Sequence, residues 1–178
     1  SKLDIKSAKK KLRKWMKRDY WKESAEVHYK YIPKRIICEK YLESKTGFLP
    51  ADYKIYCFNG IPKLILFIAD RDFDKKGVFM SPEWEFISWA GSSYKKFEKI
   101  PEKPESLEEM VRAAAKLSAP FPFVRVDFYH IDNRPVFGEM TFTPGACLYT
   151  SQTTIDGVTM GELLDISKEQ RKKYEKDF

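Results

Sequence analysis

The sequence predicts an α+β fold, a mostly antiparallel sheet with flanking helices. Three observations carry this. Asn59-Gly60, the strongest two-residue hairpin signal, separates two strand-like runs. A second pair of alternating runs, 123–129 and 136–142, flanks a turn at 132–135. Two other segments, 4–21 and the stretch from Ser106 to Pro120, repeat their apolar residues every three or four positions, the period of a helix.

Composition bounds the rest. A chain of 178 residues with 43% hydrophobic and 15% aromatic content can bury a core, which excludes disorder throughout. No apolar run approaches the roughly 18 residues of a membrane span, and Ser1-Lys2-Leu3-Asp4 lacks a signal-peptide h-region, so a cytoplasmic protein is expected. Charge is unevenly placed. Residues 1–45 hold fifteen Lys/Arg against six Asp/Glu, and the remainder eighteen against twenty, so the basicity belongs to the front of the chain. The three cysteines, Cys38, Cys57 and Cys147, are scattered and form no zinc-ligand spacing, which predicts reduced thiols.

In chain order, Ile5, Ala8, Leu12, Trp15 and Met16 form the apolar stripe of an amphipathic helix over 4–21, with lysines and arginines around the rest. The plain reading is a solvated face; the sharper one is a surface for anionic polymer, nucleic acid or the inner face of a membrane. Residues 35–42 are rich in β-branched and aromatic side chains and predict a strand. Residues 53–58 and 63–69 form the first hairpin. The second of these runs is almost wholly apolar, which predicts burial on both faces. Residues 70–104 read as irregular, with a short apolar run at 78–80 and an aromatic stretch at 84–89. Ser106 and Glu109 form a capping box for the second helix, with Leu107, Met110, Val111, Ala114 and Leu117 as its stripe, and Thr159 and Glu162 form another for a C-terminal helix.

The chemistry concentrates in 124–145. Alternation puts Arg125 and Asp127 on one face of their strand, and a register that sets Asp127 beside Glu139 and Thr141 assembles two carboxylates and a hydroxyl. Such hard oxygen donors suit Mg²⁺, which completes its shell with phosphates and water. The alternative is a cross-strand Arg–Asp pair with Glu139 on a wet face. His28 and His130 have no metal-ligand partners at a suitable spacing and read as structural, and no histidine is spaced to make Cys147 a nucleophile.

Arg125-Val-Asp127, a turn, then Glu139-Met-Thr141-Phe-Thr-Pro144-Gly145 resembles the metal-binding hairpin of the ATP-grasp superfamily, usually R-x-D followed by E-x-N-x-x-P-G. Glu39-Lys40-Tyr41-Leu42, the run from Asp52 to Gly60, and Asp70-Arg71-Asp72 are similar to the TupA-like branch, associated with teichuronopeptide and capsular polysaccharide synthesis in bacteria. The resemblance implies ATP and Mg²⁺ as cofactors, with Asp127 and Glu139 as metal ligands. Thr141 stands where the superfamily has asparagine. Arg125 would face the transferred phosphoryl group, and Lys54 and Arg71 would approach the phosphates. Glu39, Lys40, Tyr41 and Leu42 would line the adenine slot, Asp52 would meet the ribose, and the turn at Gly145 would offer N–H groups to an oxyanion. The implied reaction is ATP-dependent joining of a carboxylate to an amine. The chain then divides into a basic helical segment 1–34, an ATP-grasp-like domain 35–160, and a C-terminal helix with charged tail 161–178. No Gly-rich phosphate loop precedes Arg35, so an incomplete cleft with weak activity is expected. Two other readings remain open: a glycosyltransferase or its accessory protein using a nucleotide-sugar, and a basic module that binds anionic polymer or a membrane surface.

Overall fold

The computed structural model describes residues 3–24, 26–42, 49–147, 154–155 and 157–167. The chain forms two compact units, one of 1–41 with 145–149 and the other of 42–144 with 150–178.

In the first unit, helix α1 (Ile5–Met16) begins at Asp4, whose carboxylate accepts from the N–H groups of Lys6 and Ser7, as an N-cap should. It stops earlier than the periodicity predicts. Lys17 closes the last turn, and a separate short helix α2 (Tyr20–Ser24) follows, then a 3₁₀ turn at Val27–Tyr31. The strand expected over 35–42 does not form: residues 33–42 have no regular structure, and 31–41 are exposed. β-branched residues favour a strand only where a ladder partner and a packed face exist; among the described residues Ile36, Ile37 and Tyr41 have no ladder partner, and all three are exposed. The Thr-Pro-Gly turn becomes a 3₁₀ turn at Pro144–Cys147, in which Gly145, Ala146 and Cys147 all have left-handed φ near 55–58°.

The second unit is built on a six-stranded, wholly antiparallel sheet. Its strands are β1 (Asp52–Phe58), β2 (Ile61–Ala69), β3 (Lys76–Met80), β4 (Phe86–Trp89), β5 (Phe123–Ile131) and β6 (Arg134–Thr141), in the order β4-β3-β2-β1-β5-β6. The α+β prediction holds. Two tight turns set the hairpins: Asn59 (φ 51°) with Gly60 (φ 79°), and Asp132 (φ 51°) with Asn133 (φ 59°). Positive φ at both central residues matches the twist of the flanking strands. The segment read as irregular contains β3 and β4, because Val78, Phe79 and Met80 find a partner in β2 and bury completely or nearly so.

Helix α3 (Leu107–Ser118) covers one face of this sheet. Leu107, Met110 and Ala114 bury against Ile55, Cys57, Ile65, Val78, Val124 and Val126. Leu117, expected in the stripe, is exposed, and Ser118 takes its place inside. The Ser106–Glu109 capping box is not made. Ser106 Oγ lies 2.6 Å from His130 Nδ1 instead, so the hydroxyl ties the start of α3 to the end of β5. The opposite face is apolar over β2 and β3, where Leu64, Leu66, Ile68 and Phe79 pack with Tyr56, Phe58, Ile155, Met160 and Leu163. Hence β2 is buried on both sides, as its sequence predicts. The Thr159–Glu162 box does form, with Thr159 N–H donating to Glu162 Oε2 at 2.8 Å and Glu162 N–H to Thr159 Oγ1 at 3.3 Å. It closes only a turn through Leu163; the tail 168–178 lies outside the described residues. A short ribbon, Thr154–Ile155 with Val158–Thr159, precedes it.

Candidate functional site: a charged ladder across three strands

On that second face, the apolar surface of β2 and β3 gives way to charge across β1, β5 and β6. The register decides which side chains meet. Lys54 pairs with Asp127 and Tyr56 with Arg125 between β1 and β5, while Asp127 pairs with Glu139 and Arg125 with Thr141 between β5 and β6. Residues paired across an antiparallel ladder point to the same face. Five chemistry-bearing side chains from three strands therefore share one surface, with Tyr56 beside them.

Asp127 is the hub. Arg125 forks onto it, Nε donating to Oδ1 at 2.7 Å and Nη2 to Oδ2 at 2.8 Å. Lys54 Nζ donates to Oδ2 at 2.5 Å. Arg125 Nη2 also reaches Thr141 Oγ1 at 3.0 Å and Glu139 Oε1 at 3.3 Å, and the Thr141 hydroxyl donates to Glu139 Oε1 at 3.4 Å. On the other side of Lys54, Asp52 Oδ1 stands 3.9 Å away, and Asp52 Oδ2 holds Arg71 Nη1 at 3.0 Å. Three cations thus alternate with three carboxylates. The Asp52 and Asp127 carboxylates are buried, while the Glu139 side chain keeps 63% of its surface in water.

Burial and charge pull these groups in different directions. Burial pushes the Asp52 carboxyl above its usual range, more than Lys54 and Arg71 draw it down. Burial draws the Arg125 guanidinium down, but its hydrogen bond to Asp127 and the Asp127 charge outweigh that and leave it raised. Burial pushes the Tyr56 phenol up against the opposing pull of the Arg125 charge. Tyr56 is the residue that the sequence reading missed; its position two residues beyond Lys54, on the same face of β1, was the available signal.

A local irregularity fixes the register. Asp127 pairs with Glu139 but Phe128 pairs with Phe137, so Gly138 is the extra residue of a β-bulge. A Cβ there would lie 3.1 Å from the Asp127 carbonyl oxygen and 3.3 Å from the Tyr129 ring. Glycine lets β6 approach closely where Glu139 must turn toward Asp127.

The remaining candidates are not on these three strands. Glu39, Lys40 and Tyr41 belong to the exposed stretch of the first unit, Leu42 begins the second, and Gly145 lies in the left-handed 3₁₀ turn. His130 meets Ser106 Oγ on Nδ1 and a Glu105 carboxylate oxygen at 3.2 Å on Nε2. Cys57 is buried, with its thiol pushed up to about 11 by desolvation, and burial also raises Cys147.

A metal ion can be tested against this donor set. Among the described residues no cluster of three or more His, Cys, Asp or Glu side chains is placed to hold one. Asp127 and Glu139 are two carboxylates with a hydroxyl beside them, and both Asp127 oxygens are occupied by cationic donors. That set is too small and too neutralised for a bare ion. It fits Mg²⁺ arriving with phosphate, whose oxygens complete the ion's shell and give Arg125 and Lys54 another anion.

The TupA-like ATPgrasp family model matches residues 1–164. The chain belongs to the TupA-like ATP-grasp family. No curated protein matches it, and no solved structure does. The charged ladder therefore lies in an ATP-grasp-type domain, and ATP use comes with the family. Among the described residues no helix is long and apolar enough to cross a membrane.

Proposed function

We propose that this TupA-like ATP-grasp domain binds Mg²⁺-ATP over the charged face of β1, β5 and β6 and serves a carboxylate–amine ligase of bacterial surface-polysaccharide assembly. The observation that carries the reading is the register that sets Asp127 opposite Glu139, with Arg125 bridging the two and Lys54 on the far side of Asp127. The link to capsular or teichuronopeptide synthesis rests on the family branch.

Phosphate oxygens compete with Asp127 for Arg125 and Lys54, so the two cations turn from an internal partner to the nucleotide. Asp127 and Glu139 would then be the carboxylates to hold Mg²⁺, which would supply neutralisation of phosphate charge and orientation of the transferred group. Arg125 is placed to neutralise the phosphoryl oxygens, and Lys54 to hold a neighbouring phosphate. Asp52 keeps Arg71 and Lys54 oriented from behind. In the ligase reaction a substrate carboxylate oxygen attacks the γ-phosphorus and ADP leaves. An amine then attacks the acyl carbon, and inorganic phosphate leaves with the formation of an amide. The protein's part is positioning and charge compensation.

Thermal unfolding of the chain with ATP, ADP and UDP-glucose, each with and without Mg²⁺, tests this. Ligand at about a hundred times its Kd stabilises by about 2.7 kcal/mol, a rise of roughly 5–10 °C in Tm for a chain of this size. ATP is expected to give that rise only with Mg²⁺. A response to UDP-glucose alone would move the reading to nucleotide-sugar chemistry.

A further inference from the structure

Outside the ladder, the most one-sided surface is α1. From Ile5 to Arg18 the chain holds eight Lys/Arg and no acid. At 100° per residue, Ile5, Ala8, Leu12, Trp15 and Met16 fall within an arc of about 100°, and the basic residues fill the remainder. No residue of α1 is buried. The apolar arc is open to water: Ile5 is 62% exposed, Trp15 50% and Met16 37%. Lys11 Nζ lies 4.8 Å from the centre of the Trp15 ring, at the seam between the two faces.

We propose that α1 is a membrane-surface helix, which lies in the headgroup region of a bilayer rich in anionic phospholipid. Two independent features select this partner. The continuous basic arc complements a negative surface, which also suits any polyanion. The apolar stripe with an indole at its edge has no counterpart on nucleic acid or acidic polysaccharide, whereas the acyl–headgroup boundary takes both faces at once. The helix ends at Lys17 rather than running to Trp21, which keeps the amphipathic pattern within one straight segment. The proposal does not depend on nucleotide binding by the ladder.

The test is cosedimentation of the full chain with vesicles of phosphatidylcholine alone and of phosphatidylcholine containing one-third phosphatidylglycerol. Binding is expected to the anionic vesicles and not to the neutral ones. Each basic residue near the surface contributes about fivefold, so Lys10/Lys14/Lys17→Gln should weaken binding about a hundredfold. Ile5/Trp15/Met16→Ala keeps every charge and a good helix former at each position; it should still lose more than tenfold. Both variants should unfold at the wild-type temperature, since none of the substituted residues is buried. An apolar variant that binds anionic vesicles as tightly as wild type, or a chain that ignores them while binding heparin, would overturn the proposal.

Discussion

Asp127 sits under two cationic side chains, Arg125 and Lys54, that are themselves largely removed from water. Removing one partner of such a cluster leaves buried charge without compensation, which costs about 3–5 kcal/mol. Asp127→Asn is therefore expected to lower unfolding stability by about 3 kcal/mol in a denaturant titration. Glu139→Gln should change it by less than about 0.5 kcal/mol, because Glu139 faces water and meets Arg125 only at 3.3 Å. Equal effects would mean that the register does not separate a hub from a rim. Asp52 adds a pH signature. Its carboxyl is raised in the folded state, so on acidification the folded chain takes up this proton before the unfolded chain does. The stability of wild type relative to Asp52→Asn should then rise as pH falls from the folded-state value toward 3.8, and stay flat below both values. A fall in that difference over the same window would reverse the sign of the burial argument.

The hairpin β5–β6 turns those residue properties into a site. Its alternation was legible because Arg125 and Asp127 lie two apart, as do Glu139 and Thr141, around a turn rich in residues that tolerate positive φ. The bulge was not legible: nothing in Phe137-Gly138-Glu139 says which residue is unpaired until the opposing strand is present. Gly138→Ala should cost about 1 kcal/mol, from the Cβ contact at 3.1 Å, and should weaken Mg²⁺-ATP binding more than its stability loss explains. The capping box at Ser106 misled for a related reason. A helix start sees only local donors in the sequence, whereas the fold brings His130 within 2.6 Å of the hydroxyl. Ser106→Ala should accordingly cost about 1 kcal/mol, and Glu109→Ala no more than a few tenths, by thermal unfolding. Residues 35–42 failed as a strand because propensity without a neighbouring ladder does not hold a backbone extended in a sheet.

For the whole molecule, the sheet order and its two faces explain the distribution of chemistry. One face is sealed by α3, and the other is apolar over β2 and β3 and charged over β1, β5 and β6. The ladder is close to neutral as folded, three carboxylates against three cations, so an incoming triphosphate brings the charge that makes a divalent ion favourable there. Nucleotide and metal should for that reason each tighten the binding of the other. Isothermal titration of ATP into wild type and Glu139→Gln, with and without Mg²⁺, examines this coupling without disturbing the buried hub. The account predicts that Mg²⁺ tightens ATP binding at least tenfold in wild type and by less than threefold in Glu139→Gln, with both proteins equally stable. The same Mg²⁺ enhancement in the two proteins would contradict it.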